Sequence, residues 1–206
     1  KNYNMKIGAD YYIDKKTTIG FVLNGNFAPE KNSSKITGFM KDHQGNTDSI
    51  IYATGLITDF WKNKSANLNF RRQFDSTGRE LTADVDFVTY GSNSKQFFEN
   101  SIMNPDWSPK SNDQLRGHLP VDINIYSAKV DYAQPLKKNA KLETGLKASY
   151  VNTDNQAQYY NIIDGEDVVD YGKTNQFQYK ENIIAGYLNY NRQIKKWSIQ
   201  TGLRYE

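Results

Sequence analysis

Apolar and polar side chains alternate from the start of the chain. Met5, Ile7, Ala9, Tyr11 and Ile13 occupy one set of positions, and Lys6, Gly8, Asp10, Tyr12 and Asp14 the other. A period of two is the signature of a β-strand with one apolar face. After the polar turn Asp14-Lys15-Lys16-Thr17 the alternation resumes through Ile19, Phe21, Leu23 and Phe27, which predicts a hairpin. Three more hairpins follow. Ala66, Leu68, Phe70 and Phe74 turn at Asp75-Ser76-Thr77-Gly78 into Leu81, Ala83, Val85 and Phe87. Tyr126, Ala128, Val130 and Tyr132 turn around Pro135 into Leu142, Leu146, Ala148 and Tyr150. The last runs from Phe177 through Ile183, Ala185 and Tyr187, turns near Gln193-Ile194-Lys195-Lys196, and leaves through Trp197, Ile199, Thr201, Leu203 and Tyr205. The pattern predicts an all-β fold: an antiparallel up-and-down meander of about eight strands, each roughly nine to thirteen residues long.

Between these hairpins lie the polar stretches 28–64, 91–123 and 152–176, rich in Asn, Ser, Asp and Gly, which read as long connections. Short turns therefore alternate with long ones. Compact soluble domains seldom carry unstructured connections beyond about 12 to 15 residues, whereas transmembrane barrels combine tight turns at one end with long loops at the other. Strands of this length also suit a bilayer, which a tilted strand crosses in roughly nine to eleven residues. No helix is predicted that could cover the apolar face. Tyr11, Tyr12, Trp61, Tyr90, Tyr132, Tyr150, Tyr190, Trp197 and Tyr205 fall near strand ends, where an interfacial aromatic girdle would place them. The polar positions carry Lys6, Asp10, Arg71, Asp84, Asp86, Lys129, Asp131, Glu143, Lys147 and Arg204, a charge density that suits the lumen of a barrel, where acids and bases pair across the ladder.

Composition narrows the function. Only 37% of the 206 residues are hydrophobic, but 14% are aromatic and the net charge is only +3, so the chain lacks the composition of a disordered segment. Without cysteine there is no disulfide, thiolate zinc site, iron–sulfur cluster or cysteine nucleophile. His43 and His118 stand far apart in polar surroundings and do not suggest a metal site. Lys and Arg are interspersed with acids and form no basic block, which gives nucleic acid no footprint. No apolar run is long enough for a transmembrane helix.

Four stretches carry a family resemblance. Lys129-Val130-Asp131-Tyr132 with Pro135-Leu136, Leu142-Glu143-Thr144-Gly145-Leu146-Lys147, Phe177-Gln178-Tyr179-Lys180-Glu181-Asn182-Ile183 and Gly202-Leu203-Arg204-Tyr205-Glu206 resemble the outer-membrane β-barrel family of TonB-dependent-receptor-like proteins of Gram-negative bacteria. Gly8-Ala9-Asp10-Tyr11-Tyr12-Ile13 and Lys16-Thr17-Thr18-Ile19-Gly20 look like earlier strands of the same family. The resemblance implies an outer-membrane location, lipid as surroundings, a nutrient ligand and, for the parent protein, an energy-coupling partner of the TonB type. Relatives of this layout carry an accessory domain, a plug and a barrel of about twenty-two strands. Residues 1–206 read as one segment of such a barrel, with no plug or accessory domain and with edges that favour self-association when the segment stands alone.

Other chemistry finds little support. Asp164-Gly165-Glu166-Asp167 with Asp170 offers carboxylates for calcium but lacks the spaced ligand series of a calcium loop, and Asp-Gly is a strong hairpin signal. Asp84 and Asp86 share a strand face without the cleft that acid–base catalysis requires. No phosphate loop or nucleophile elbow occurs, so neither an enzyme nor a bound cofactor is predicted. The candidate ligand contacts are Trp107 and Asp106, in Asn104-Pro105-Asp106-Trp107-Ser108-Pro109, and Asp167. Two rival readings stand beside the nutrient receptor: a soluble antiparallel sheet that binds glycan or protein, and a small structural or adhesive outer-membrane barrel.

Overall fold

The computed structural model describes all 206 residues, and they form one antiparallel sheet. Its strands are β1 (Tyr3–Asp14), β2 (Thr17–Lys41), β3 (Thr47–Gln73), β4 (Glu80–Met103), β5 (Pro109–Leu136), β6 (Ala140–Ile163), β7 (Glu166–Val169), β8 (Asn175–Ile194) and β9 (Trp197–Tyr205). Each strand pairs with the next, except that β8 returns to β6 while the short β7 pairs with the far end of β6. The predicted meander is present, and β1 and β9 form its two edges.

β1 and β9 have the expected length, but β2 to β6, at 24–28 residues, are about twice as long as the alternation of Leu, Phe and Val suggested. The stretches 28–64, 91–123 and 152–176, expected to be loops, are mostly strand. They extend the hairpins outward to tight turns at 42–46 and 104–108, and past β7 to a turn at 170–174. Of 150 backbone hydrogen bonds, 140 lie within strands, so the ladder continues to the hairpin tips. Asn and Ser are poor strand formers in isolation, but hydrogen bonding to a neighbouring strand carries them outward. The short turns lie at the opposite end: Asp75 to Gly78 and Asn104 to Ser108 are separated by the whole length of β4.

Aspartate closes turns at both ends. The Asp42 carboxylate accepts from the backbone N–H of Gln44 (2.8 Å) and Asn46 (2.9 Å). Asp14, Asp75, Asp106 and Asp170 do the same for Lys16, Thr77, Ser108 and Gly172. Each is an Asx-type closure that replaces a missing ladder bond. The β6–β7 turn has both Asp164 (φ 52°) and Gly165 (φ 84°) in the left-handed region, the geometry of a two-residue type I′ hairpin.

Residues paired across the ladder share a face. We call the face of Ile7 outer and the face of Lys6 inner. One outer row runs Ala9, Phe21, Leu68, Val85, Ala128, Ala148, Ile184. The row below it runs Tyr11, Ile19, Phe70, Ala83, Val130, Leu146, Gly186, Tyr205. Register corrects the expectation for the last hairpin. Because Leu188 pairs with Leu203, the outer face of β8 belongs to Ile184 and Leu188, while Ile183, Ala185 and Tyr187 point inward. Ile184 is 76% exposed and its neighbour Ala185 only 1%. A reading displaced by one residue exchanges the faces of a whole strand. The aromatic girdle divides in the same way. Tyr11, Tyr132, Tyr150, Tyr190, Trp197 and Tyr205 are outer residues, but Tyr12, Trp61 and Tyr90 share rows with inner Arg71, Val121 and Asn63 and so lie inside.

The sheet is sheared. The row Gln73, Glu80, Ala133, Glu143, Asn189, Gly202 is the last before the β3–β4 turn, yet on β8 and β9 it lies five residues short of the Ile194–Trp197 pair. At about 3.3 Å per residue and 4.8 Å per strand, that drift over four spacings is a slope of roughly 40°. Strands in transmembrane barrels tilt by about 35–45°.

Candidate functional site

The inner face has two tiers. Lys6, Asp10, Arg71, Asp84, Asp86, Lys129, Asp131, Glu143, Lys147 and Arg204, the ten charged residues singled out by the sequence pattern, all fall on inner rows; nine lie in the lower tier, toward the short turns, and Lys6 stands level with Val88. One row reads Asp10, Gly20, Asn69, Asp84, Lys129, Lys147, Ala185, and the next Tyr12, Thr18, Arg71, Thr82, Asp131, Gly145, Tyr187, Arg204.

Six of the ten have partners. Arg71 holds Glu80 through Nε (2.8 Å) and a terminal guanidinium nitrogen (2.7 Å). Asp86 accepts from Asn67 (2.7 Å) and Ser127 (3.3 Å). Lys129 meets Asp131 at 2.6 Å, Glu143 is bound by Lys141 at 2.5 Å, and Arg204 pairs with Glu206. The Tyr187 hydroxyl also donates to Asp131, reaching from β8 to β5 across the intervening β6. Gly145 makes that reach possible, because a side chain there would occupy the space in which Asp131 and Tyr187 meet. Lys6, Asp10, Asp84 and Lys147 have no hydrogen bond or ion pair in the chain. Lys147 stands directly opposite Lys129, a like-charge pairing that costs stability.

Above the level of Phe87, Tyr126 and Tyr150 the polarity inverts. The alternation changes phase at Phe87/Val88 on β4, Ile125/Tyr126 on β5, Tyr150/Val151 on β6 and Ile183/Ile184 on β8, with unbroken pairing through each step. The outer face now carries Lys64, Asn124, Asn152 and Lys180, then Lys62, Asp122, Asp154 and Gln178. Lys62 reaches across Gly91 to Asp122 (3.9 Å). The inner face keeps Lys6 and Glu181 at the two ends of its first row, Lys6, Asn24, Ser65, Val88, Ile125, Val151, Glu181, and then loses charge for two rows, Asn63, Tyr90, Ile123, Thr153, Tyr179 and Trp61, Ser92, Val121, Asn155, Phe177, before Glu30 and Asp59. Phe177 and Tyr179 lie nearly parallel with centroids 6.4 Å apart, and the Asn155 side-chain oxygen is buried without a donor.

This upper tier escaped the sequence reading, although a signal was present. Leu115, Leu119, Val121, Ile123 and Ile125 alternate with Arg116, His118, Asp122 and Asn124 as regularly as the strand that follows. They alternate in the opposite phase, inside a stretch rich in polar residues.

The three candidate ligand contacts do not converge. Asp106 closes the 104–108 turn through the N–H and hydroxyl of Ser108 (3.0 and 2.6 Å), and those bonds hold its carboxyl below the usual carboxylate range. Trp107 takes a left-handed backbone in that turn (φ 66°) and sets its ring edge-on to Phe39, 6.5 Å between centroids. Phe39 belongs to the row Phe39, Ile50, Met103; Ile50 is 1% exposed, and beside it Phe39 and Trp107 both stay more than half exposed at the hairpin tips. Asp167 lies beyond β6 on β7, paired with Arg116. His118 is held by the amides of Gln158 (3.3 Å) and Asn93 (3.1 Å).

An apolar outer belt across tilted strands that continue beyond it, bounded by aromatic rows and backed by a charged inner face, is the architecture of a transmembrane barrel wall. Phe87, Tyr126 and Tyr150 form the upper boundary, their rings stepping 5.0 and 6.2 Å from strand to strand. No curated protein matches the chain. The family model described as outer membrane protein beta-barrel family matches residues 72–206, from the end of β3 through β9. The chain belongs to the outer membrane protein β-barrel family, and its place is the outer membrane.

Proposed function

We propose that this chain forms part of the wall of a TonB-dependent-receptor-like importer, which binds a nutrient from outside and passes it inward with energy from an inner-membrane coupling protein. The observation that carries this reading is an aromatic and amide-bearing band of the upper inner tier, the two rows through Tyr90 and Trp61, which carry no charge. A simple diffusion pore keeps a polar, water-filled interior. A surface of Trp61, Tyr90, Tyr179 and Phe177, with a donorless amide oxygen at Asn155, instead suits a ligand that offers both apolar area and hydrogen-bond donors. Below this band, the unpaired Lys6, in the row next to it, and Asp10, Asp84 and Lys147 further down would meet a polar occupant of the lumen such as a plug. The strand motifs from Lys129 to Glu206 support the energy-coupled class through resemblance.

Uptake by cells making the full-length protein tests the reading. Labelled oligosaccharides, peptides and metal chelates are supplied in turn. One class is expected to accumulate saturably and to stop accumulating when the inner membrane is depolarised, and Trp61→Ala should raise the half-saturating concentration. Uptake that is unsaturable and indifferent to depolarisation would favour a passive pore. No uptake of any class would favour a structural or adhesive barrel.

A further inference from the structure

The outer belt has a built indentation over β1, β2 and β3. In the row Met5, Gly25, Lys64 the glycine leaves a gap, and the ring of Phe27 leans toward it from along the strand, 3.5 Å from where a Cβ would stand. Met5, Ile7, Leu23, Phe27, Ala66 and Phe87 line the resulting groove, whose cavity volume is about 470 Å³. Besides Lys6 on the edge strand β1, one cation borders the groove: Lys64, in the same row as Gly25 and one row below Phe27. Its Nζ lies 6.0 Å from the Phe27 ring centroid and has no carboxylate in ion-pair range, whereas Lys62, two residues further up, is engaged with Asp122. Lys64 stands at the level where the outer face changes from apolar to charged, which is the headgroup level of the leaflet on the long-hairpin side.

We propose that this groove is a binding site for a phosphorylated, multiply acylated glycolipid of the outer leaflet. One acyl chain lies over Gly25 between Met5, Leu23 and Phe27, and a phosphate meets the Lys64 ammonium. The groove alone would accept any hydrocarbon chain, and the ammonium alone any anion. The two adjoin at headgroup depth, and a lipid that presents a phosphate directly above its chains satisfies both. A zwitterionic lipid carries its own cation beside the phosphate and gains less from Lys64. The site depends on the outer-membrane location and is independent of the import reading.

Native mass spectrometry of the full-length protein, purified in neutral detergent and mixed with diphosphoryl lipid A, provides the test. One tightly retained lipid A per protein is expected, with retention reduced about tenfold by Lys64→Gln and by Gly25→Leu, which fills the groove. Lys180→Gln removes an outer cation at the same level with no groove beneath it and should leave retention unchanged. Heat-dependent gel mobility shows that each variant is folded. Equal retention by the wild type and Lys64→Gln would overturn the proposal. So would loss in Lys64→Gln with full retention in Gly25→Leu, which would indicate attraction by surface charge only. Equally effective displacement by phosphatidylglycerol would overturn the glycolipid assignment, and a dimer abolished by Gly25→Leu would make the groove an interface between copies.

Discussion

The lower and upper halves of the same strands obey opposite rules. Between Leu81 and Phe87, β4 puts its apolar side chains outside and Thr82, Asp84 and Asp86 inside. From Val88 to Glu99 it puts Val88, Tyr90 and Phe98 inside and Thr89, Lys95 and Glu99 outside, with Phe97 the one large apolar side chain left on the outer face. Pleat, register and hydrogen bonding are continuous across the boundary, so the backbone does not set the difference. The surroundings do: lipid requires an apolar exterior, water requires a polar one, and apolar side chains move to whichever side is not wet. The apolar face of a β-strand therefore records its solvent more directly than its fold.

The sharpest way to break this comparison is to place one cation on the outer face at two heights. Val85→Arg, at the middle of the belt, should destabilise by about 2–4 kcal/mol, whereas Asn124→Arg, on the upper outer face, should fall within about 0.5 kcal/mol of wild type. Equilibrium unfolding from lipid vesicles measures both, and equal costs would remove the distinction between the halves.

Glycines sharpen it next. At Gly145 an added methyl would enter the space shared by Asp131 and the Tyr187 hydroxyl, groups fixed by a mutual bond, so Gly145→Ala should cost about 1–3 kcal/mol. At Gly91 the obstructing atoms belong mainly to the flexible Lys62 chain, which can swing into water, so Gly91→Ala should cost less than about 1 kcal/mol. The same unfolding experiment ranks them.

A smaller effect is expected where like charges oppose. Lys147→Gln should stabilise the lower tier by a few tenths of a kcal/mol by relieving Lys129, and the gain should shrink as salt is raised. A loss of stability would show that something anionic already sits between the two lysines.

The smallest effect is at the turns, which are alike in both halves. Backbone and side-chain hydrogen bonds hold the carboxyls of Asp42, Asp75, Asp106 and Asp170 below the usual range, led by Asn46 for Asp42, Thr77 for Asp75, Ser108 for Asp106 and Lys173 for Asp170. A carboxyl whose folded value is depressed stabilises above its unfolded value and loses that contribution as pH falls through the folded one. Amide protection at Asn46, Thr77 and Ser108 should therefore persist below the pH at which free aspartate protonates and disappear in stronger acid. Asp106→Asn, which keeps the acceptor but not the charge, should remove the pH dependence at Ser108 alone.

How much was legible in the sequence follows from the same contrast. Ile7, Leu68, Val85 and Leu203 could be placed because lipid-facing residues alternate cleanly with charged ones, and the ten inner charges followed by parity. The segment from Leu115 to Ile125 was not legible as strand, since Asn, Asp, His and Pro between its apolar residues resemble loop chemistry until a paired neighbour is known. Phe177 to Ile183 suggested a face that β8 then abandons at Ile184, because a phase change within one strand looks like continuity when only one phase is followed. The contact of Trp107 with Phe39 was not legible either, since an aromatic in a polar turn gives no sign of a partner 68 residues away in sequence.

The pleated hairpin extensions constrain how this protein can change length. Were 91–123 a true loop, insertions of any size would be absorbed. Because β4 and β5 are instead paired up to Met103 and Pro109, one extra residue near Val121 would turn Leu119 and Leu115 toward water and bring Arg116 and His118 inside. Two extra residues would preserve every face and lift the tip by about 7 Å. Homologous hairpins should thus differ in height by even steps along each strand, with odd changes confined to the Asp-closed tips, so that the rim of the barrel can rise or fall without exchanging what its inner wall presents.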